Sequence, residues 1–150
     1  KPVFNAALRM LRNPEDARDV AQTVFLKAFE HLADYDPKYR FYSWIYRIAL
    51  NESINALNGR KRLVPIAGDE VDERRGADDN LEIEQVSQRV QAALMTIKPD
   101  YRAVIVLKHF LDMSYEDIGQ ILELPEKTVK SRLFTGRQLL KDALQTSGIL

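Results

Sequence analysis

Apolar residues recur at every third or fourth position along most of this chain, and no stretch alternates in the period-two manner of a strand, so helices are the expected elements. The chain opens inside an amphipathic run, Val3, Ala6, Ala7 and Met10, with no cap before it, which points to a truncated first helix. Asn13-Pro14-Glu15-Asp16 supplies an N-cap, a first-turn proline and two early carboxylates for a second helix. Its expected core face is Ala17, Val20, Ala21, Val24, Ala28 and Leu32. Asp34-Tyr35-Asp36-Pro37 then breaks it, because a residue before proline avoids the helical region. Phe41, Trp44, Ile45, Ile48 and Ala49 mark a third helix. Residues 63–84 have no sustained period and read as a flexible acidic linker. Beyond them Val86, Val90, Leu94 and Ile97 point inward from one helix, and Pro99 opens another bearing Val104, Ile105, Lys108 and Leu111. The expectation is an all-α chain of two small helical domains, residues 1–62 and 85–150, joined by that linker.

Residues 114–144 carry the clearest local pattern. Ser114 stands three positions before Asp117, the arrangement in which a serine hydroxyl caps a helix beginning at Tyr115. Ile118, Ile121 and Leu122 share one face, and Gly119 beside them leaves room for a close approach. Pro125 predicts a second helix from Pro125 or Glu126, only two residues further on. In that helix Val129, Leu133, Gly136, Leu140 and Leu144 line one side. Lys127, Lys130, Ser131, Phe134, Thr135, Gln138 and Lys141 line the other, with cations, hydroxyls and no carboxylate. Such a face suits phosphates and base edges, as in a helix-turn-helix, although a plain helical hairpin with a solvated face fits the same residues.

Taken alone, the formal net charge of zero over 150 residues argues against a nucleic-acid binder, but the charges are segregated. Residues 38–62 carry six cations against Glu52, a net of +5, and residues 69–84 carry eight carboxylates against Arg74 and Arg75, a net of −6. The absence of cysteine removes disulfides and thiolate metal sites. No apolar run approaches the roughly 20 residues of a membrane span. A cytoplasmic protein without cofactor and without membrane insertion is the expectation.

Six of the thirteen aromatic residues fall between Tyr35 and Tyr46, interleaved with Lys38 and Arg40 and followed by Arg47. Rings between cations are what single-stranded nucleic acid needs, since bases stack on the rings and phosphates pair with the cations. Phe41, Trp44, Ile45, Ile48 and Ala49 suit a core better, leaving Tyr35, Tyr39 and Tyr42 as candidates for contact. Arg47, Asn51, Asn55 and Asn58 continue as a polar stripe toward Arg60, Lys61 and Arg62. On the second helix Phe25, Leu26 and Phe29, beside Asp16, Asp19, Gln22 and Lys27, divide between a neighbouring helix and another surface; by composition alone, packing is the commoner fate of such a rim.

Four segments taken in order, PEDARDVAQTVFLKAF, FYSWIYRIALNESINAL, IKPDYRAVIVLKHF and SYEDIGQILELPEKTVKSRLF, resemble the extracytoplasmic-function (ECF) group of bacterial RNA polymerase sigma factors, reduced to their second and fourth regions. The resemblance implies that Asp19, Gln22 and Phe25 grip the clamp helices of the polymerase β′ subunit, which reverses the packing-first reading of that rim. It implies that Tyr35, Tyr39, Tyr42, Arg47, Asn51, Asn55, Arg60 and Lys61 belong to the part that recognises and melts the minus-ten element. It likewise implies that Lys127, Lys130, Ser131, Phe134, Thr135 and Arg137 serve minus-35 recognition. The implied partners are core polymerase, through β′ and β, promoter DNA and an anti-sigma factor. The sequence departs from the family pattern at Asn55, where aspartate is common, at Asn58 and Gly59, where basic residues are, and at Thr135, where arginine is; weaker phosphate contact and a different minus-35 preference would follow.

A helix-turn-helix regulator that never joins polymerase explains residues 114–144 but leaves the aromatic-basic segment idle. An enzyme is disfavoured. His31 and His109 lack a metal-site spacing, and no phosphate-binding glycine loop or nucleophile-elbow motif is present.

Overall fold

Among the described residues of the computed structural model, which are 2–38, 40–62 and 81–148 with the backbone alone for 60–62 and 81, seven α-helices account for most of the chain. The first three are α1 (Pro2–Leu11), α2 (Pro14–Glu30) and α3 (Phe41–Arg62). Asn13 caps α2 as its spacing predicts, its side chain accepting from the Asp16 N–H at 3.0 Å ahead of Pro14. The helix ends earlier than the apolar pattern suggests. His31 leaves the helical region, and a 3-10 turn, Leu32–Asp34, follows. That turn swings Leu32 off the face of Ala28, so Leu32 is exposed rather than part of the core.

The face of α3 also differs from expectation. Its buried residues are Ser43, Tyr46, Ala49, Leu50 and Ser53, whereas Phe41 is half exposed and Trp44, Ile45 and Ile48 are only partly covered. Helix α3 packs on α1 and α2 and also on a helix of the second half, Tyr115–Leu122. Ser43, Ala49 and Ser53 therefore take close approaches beside Tyr46 and Leu50, and the rings of Phe41 and Trp44 go to the rim.

The second half comprises α4 (Leu81–Met95), α5 (Pro99–Ile105), a π-helical turn (Val106–Phe110), α6 (Tyr115–Leu122) and α7 (Glu126–Thr146). The first four residues of α4 lie within the segment expected as linker; the other linker residues fall outside the described chain. Only the C-terminal part of α4 is covered, by α1 and α7, so Val86 is half exposed instead of pointing inward, while Ala93, Leu94 and Ile97 are buried.

Ser114 caps α6, accepting from the Asp117 N–H at 3.0 Å. The helix stops at Glu123, whose left-handed φ of 60° is the usual helix-ending geometry on a residue other than glycine. A Cβ on Gly119 would lie 2.8 Å from the Leu124 carbonyl oxygen, so the room this glycine leaves is taken by the turn itself and not by a crossing helix. Pro125 stands just before α7 at the cap. Val129, Leu133 and Gly136 of α7 are buried, and Gly136 abuts Ile105 and the Tyr101 carbonyl of α5.

One apolar core runs through both halves, from Val3 and Leu50 to Leu94, Ile118 and Leu133. Helix α1 touches α4, α5 and the π-helical turn, and α3 lies against α6. Arg102, 4% exposed, donates from Nη1 to the Met10 carbonyl at the end of α1, from Nε to Leu94, and from Nη2 to Met95 and Ile97 at the end of α4. Gln91 donates to the Arg9 carbonyl at 2.9 Å and accepts from the Arg9 guanidinium at 3.1 Å, while that guanidinium lies 4.4 Å above the Phe110 ring. No helix among the described residues is long and apolar enough to cross a membrane.

Candidate polymerase-binding and DNA-binding surfaces

Helix α2 buries Ala17, Val20, Val24 and Ala28 against α1 and α3. Its other side shows what the composition left undecided. Asp19 and Gln22 are exposed, and beyond them Phe25, Leu26 and Phe29 are 60%, 65% and 80% exposed, with Leu32 continuing the patch. Among the described residues none of these side chains is taken up by a neighbouring helix, so the row is an apolar surface edged by polar groups, the composition of a partner site. Lys27 beside it is tied to Glu52 of α3, and that hydrogen bond, followed by the carboxylate's charge, holds the ammonium pKa above its ordinary value.

Tyr35 stacks edge-on against Phe41, with ring centroids 5.4 Å apart, and lies 5.2 Å from Trp44, forming an aromatic cluster at the start of α3. Tyr42 is half exposed and accepts from Arg40 at 3.2 Å; Tyr46 beneath it is buried, which pushes its phenol pKa up. Arg47 is drawn out of the polar stripe. Its guanidinium lies 3.1 Å from the Glu123 carboxylate and donates to the Gln120 carbonyl at 3.4 Å, both on the α6 side of the molecule. Asn51, Asn55 and Asn58 stay exposed along the helix. Tyr39 and the side chains of Arg60 and Lys61 fall outside the described residues.

On α7, Lys127, Lys130, Ser131, Phe134 and Arg137 are exposed together, with Phe134 67% open, while Thr135 is half-buried at the edge of the face. Lys130 lies 5.4 Å from the Tyr115 ring centroid, and Arg137 donates from Nε to His109 Nε2 at 3.1 Å. Burial first, then the charges of Arg137 and Lys108, lowers the His109 pKa, so the ring is held in the neutral form that can accept this bond. Sequence reading missed both His109 and Arg102 as structural partners. The signal for Arg102 was its place on the α5 face that also carries Ile105 and Val106, where a charge is rarely left unpaired. Among the described residues no cluster of acidic and histidine side chains is arranged to hold a metal ion.

An all-helical chain ending in a short capped helix, a tight turn and a longer helix with an open basic face belongs to the helix-turn-helix class of DNA-binding proteins. Family models narrow this further. Sigma-70 region 2 matches residues 1–63, and Sigma-70, region 4 matches residues 87–140. The chain is 30% identical to the RNA polymerase sigma-H factor of Pseudomonas aeruginosa, over 95% of its own length and 80% of that protein's. It is 31% identical to the ECF RNA polymerase sigma factor SigW of Bacillus subtilis, over 95% and 83%. Among solved structures it aligns with CnrH, determined in complex with the cytosolic domain of CnrY, at a TM-score of 0.70 and 28% identity, covering 97% and 81% of the two chains. The sigma factor RpoE of Bartonella quintana, determined with the anti-sigma factor NepR, shares the fold at a TM-score of 0.75 and 23% identity, covering 95% of this chain and 89% of that one. The chain belongs to the ECF group of RNA polymerase sigma factors.

Proposed function

We propose that this sigma factor divides its work among three surfaces and acts by binding rather than by catalysis. The α2 rim, with Asp19, Gln22 and Phe25 at its centre, seats the chain on core RNA polymerase at the β′ clamp helices, and the second half adds contact with β. The start of α3, with Tyr35, Tyr39 and Tyr42 and the stripe Arg47, Asn51, Asn55, Arg60 and Lys61, takes the minus-ten strand. The exposed face of α7, with Lys127, Lys130, Ser131, Phe134, Thr135 and Arg137, enters the minus-35 groove. Residues 1–62 and 85–150 are the two working domains, residues 63–84 connect them, and the protein works in the cytoplasm. RpoE was solved with the anti-sigma factor NepR and CnrH with the cytosolic domain of CnrY, and a cognate anti-sigma factor is the corresponding partner here.

The observation that carries this reading is the row Phe25, Leu26 and Phe29, which no helix among the described residues covers. A helix-turn-helix regulator working alone would have no use for it. Gln22→Ala with Phe25→Ala should weaken affinity for core polymerase at least tenfold, about 1.4 kcal/mol, because exposed aromatic anchors dominate such interfaces. Binding of duplex DNA by α7 should be unchanged. Wild-type affinity for core polymerase in this double variant would remove the assignment of the rim.

A further inference from the structure

Arg137 differs from its neighbours on the exposed face of α7. Among the described residues it is the side chain of that face which a hydrogen bond ties to another element, its Nε–H donating to His109 Nε2 at 3.1 Å. Lys130 only rests over the Tyr115 ring, and Lys127, Ser131 and Phe134 stand open. His109 belongs to the π-helical turn that follows α5, closed by the Leu111 N–H on the Val106 carbonyl at 3.0 Å. Such widened turns are uncommon and gather at functional sites. On α5 Ile105 abuts Gly136, and four residues later the turn sets His109 against Arg137, the next residue of α7.

The atoms that are joined matter. A guanidinium has five N–H donors in a fixed fork, and a bidentate contact to guanine O6 and N7 can use the Nη pair. A bond made at Nε leaves that outer edge whole. It also fixes the guanidinium plane before DNA arrives, so the rotamer freedom of a long side chain is given up in advance rather than on binding. Both residues are exposed, where such a bond adds little to stability; what it supplies is direction.

Accepting this bond requires an unprotonated Nε2. Burial of the ring comes first, and then the charges of Arg137 and of Lys108 beside it in the chain, in opposing a proton there. Of the other elements packed on the turn, α1 brings Arg9, held over Phe110 and by Gln91, and α5 brings Arg102, committed to its carbonyls. Helix α6 brings Tyr115, 4.5 Å from Lys108 Nζ. No carboxylate among the described residues stands against the ring.

We propose that His109 is a positioning residue for base reading: its Nε2, by holding the Arg137 Nε–H, sets the guanidinium of α7 toward the minus-35 groove, and a proton on that nitrogen releases it. Above the ordinary imidazole value the ring accepts, and base preference is complete. As pH falls through the lowered value of His109, the bond is lost and two like charges face each other. The added charge strengthens attraction to any phosphate while the base contact weakens, so selectivity falls where affinity need not. The inference rests on the minus-35 assignment of Arg137.

The test uses holoenzyme reconstituted from core polymerase and the full chain, offered a pool of duplexes randomised across the promoter region. Sequencing the bound fraction gives the base preference at each position. Arg137→Ala marks the position it reads as the one whose preference falls, by roughly fivefold to 150-fold for one bidentate contact. His109→Ala should lower the preference at that same position about fivefold and leave the others unchanged, the share of one long side chain no longer ordered in advance. His109→Gln, whose amide oxygen accepts the same bond and does not titrate, should restore it. Between about pH 8 and about pH 5.5 the wild-type preference there should fall by a similar factor, whereas that of His109→Gln should hold. Undiminished preference in His109→Ala, with the position still lost in Arg137→Ala, overturns the inference and leaves the assignment of Arg137 standing. An equal loss at every position in His109→Ala also overturns it, because the ring would then support the helix and not the guanidinium. So does a wild-type preference that holds at the lower pH. If Arg137→Ala changes no position, the minus-35 assignment of Arg137 falls, and the inference falls with it.

Discussion

Arg102 is where two helix ends meet. The last carbonyls of α1 and α4 carry the negative ends of their helix dipoles, and one buried guanidinium satisfies Met10, Leu94, Met95 and Ile97 together. Arg102→Met keeps the volume of the stem but strands those acceptors. It should cost about 3 kcal/mol, since each bond to a charged donor is worth about 1.5–3 kcal/mol and the carbonyls lose it with no water to replace it. A shift in denaturant midpoint at unchanged slope checks this, and a loss below about 1 kcal/mol would mean the carbonyls find other donors. His109 offers a second test at this scale. Its pKa is lowered in the folded chain, so its contribution to stability is complete above the ordinary imidazole value and is lost as pH falls through the lowered folded value. In a proton NMR titration its midpoint should fall below 6.5, and Arg137→Ala should raise it only part of the way, because burial is the larger cause. A wild-type midpoint at or above the ordinary value would contradict the pairing with Arg137.

Among the elements, α7 carries the prediction that separates phosphate contact from base reading. Lys130 is exposed and only loosely held over Tyr115, so it is free to meet backbone phosphate. Lys130→Ala should weaken binding to every duplex alike and flatten the dependence of log K on log salt by about 0.9, the share of one phosphate. A loss confined to one base position would make Lys130 a base reader instead. The elements themselves were largely readable in advance where the signal was local. Asn13 before Pro14, and Ser114 three residues before Asp117, each fix a helix start through bonds within one turn. The register of α3 was not readable this way. Which of Phe41, Ser43, Trp44 and Tyr46 is buried depends on being held between α1, α2 and α6, and periodicity on a single strip of sequence does not contain that partner. Leu32 and Val86 went astray for related reasons, one displaced by a 3-10 turn and the other left uncovered at the open end of α4. The α2 rim was undecided by composition, and only the packing of its opposite side shows that nothing among the described residues covers it.

At the scale of the whole molecule, the zero net charge conceals a division of labour in which a basic segment and a basic helix face are separated by acidic residues. Family membership explains the order of the parts, and the geometry supplies an apolar rim, an aromatic-basic helix and an exposed basic face on three different helices. Promoter-specific initiation requires all three on one chain, whereas a simple operator binder requires only the last. The most direct measurement is in vitro transcription from a randomised promoter library by purified core polymerase, with and without this protein. Transcripts should appear only with the protein, start downstream of a shared pair of minus-35 and minus-ten sequences, and be lost with Gln22→Ala/Phe25→Ala. Duplex binding by the protein with no protein-dependent start site on any template would contradict promoter-specific initiation by this chain.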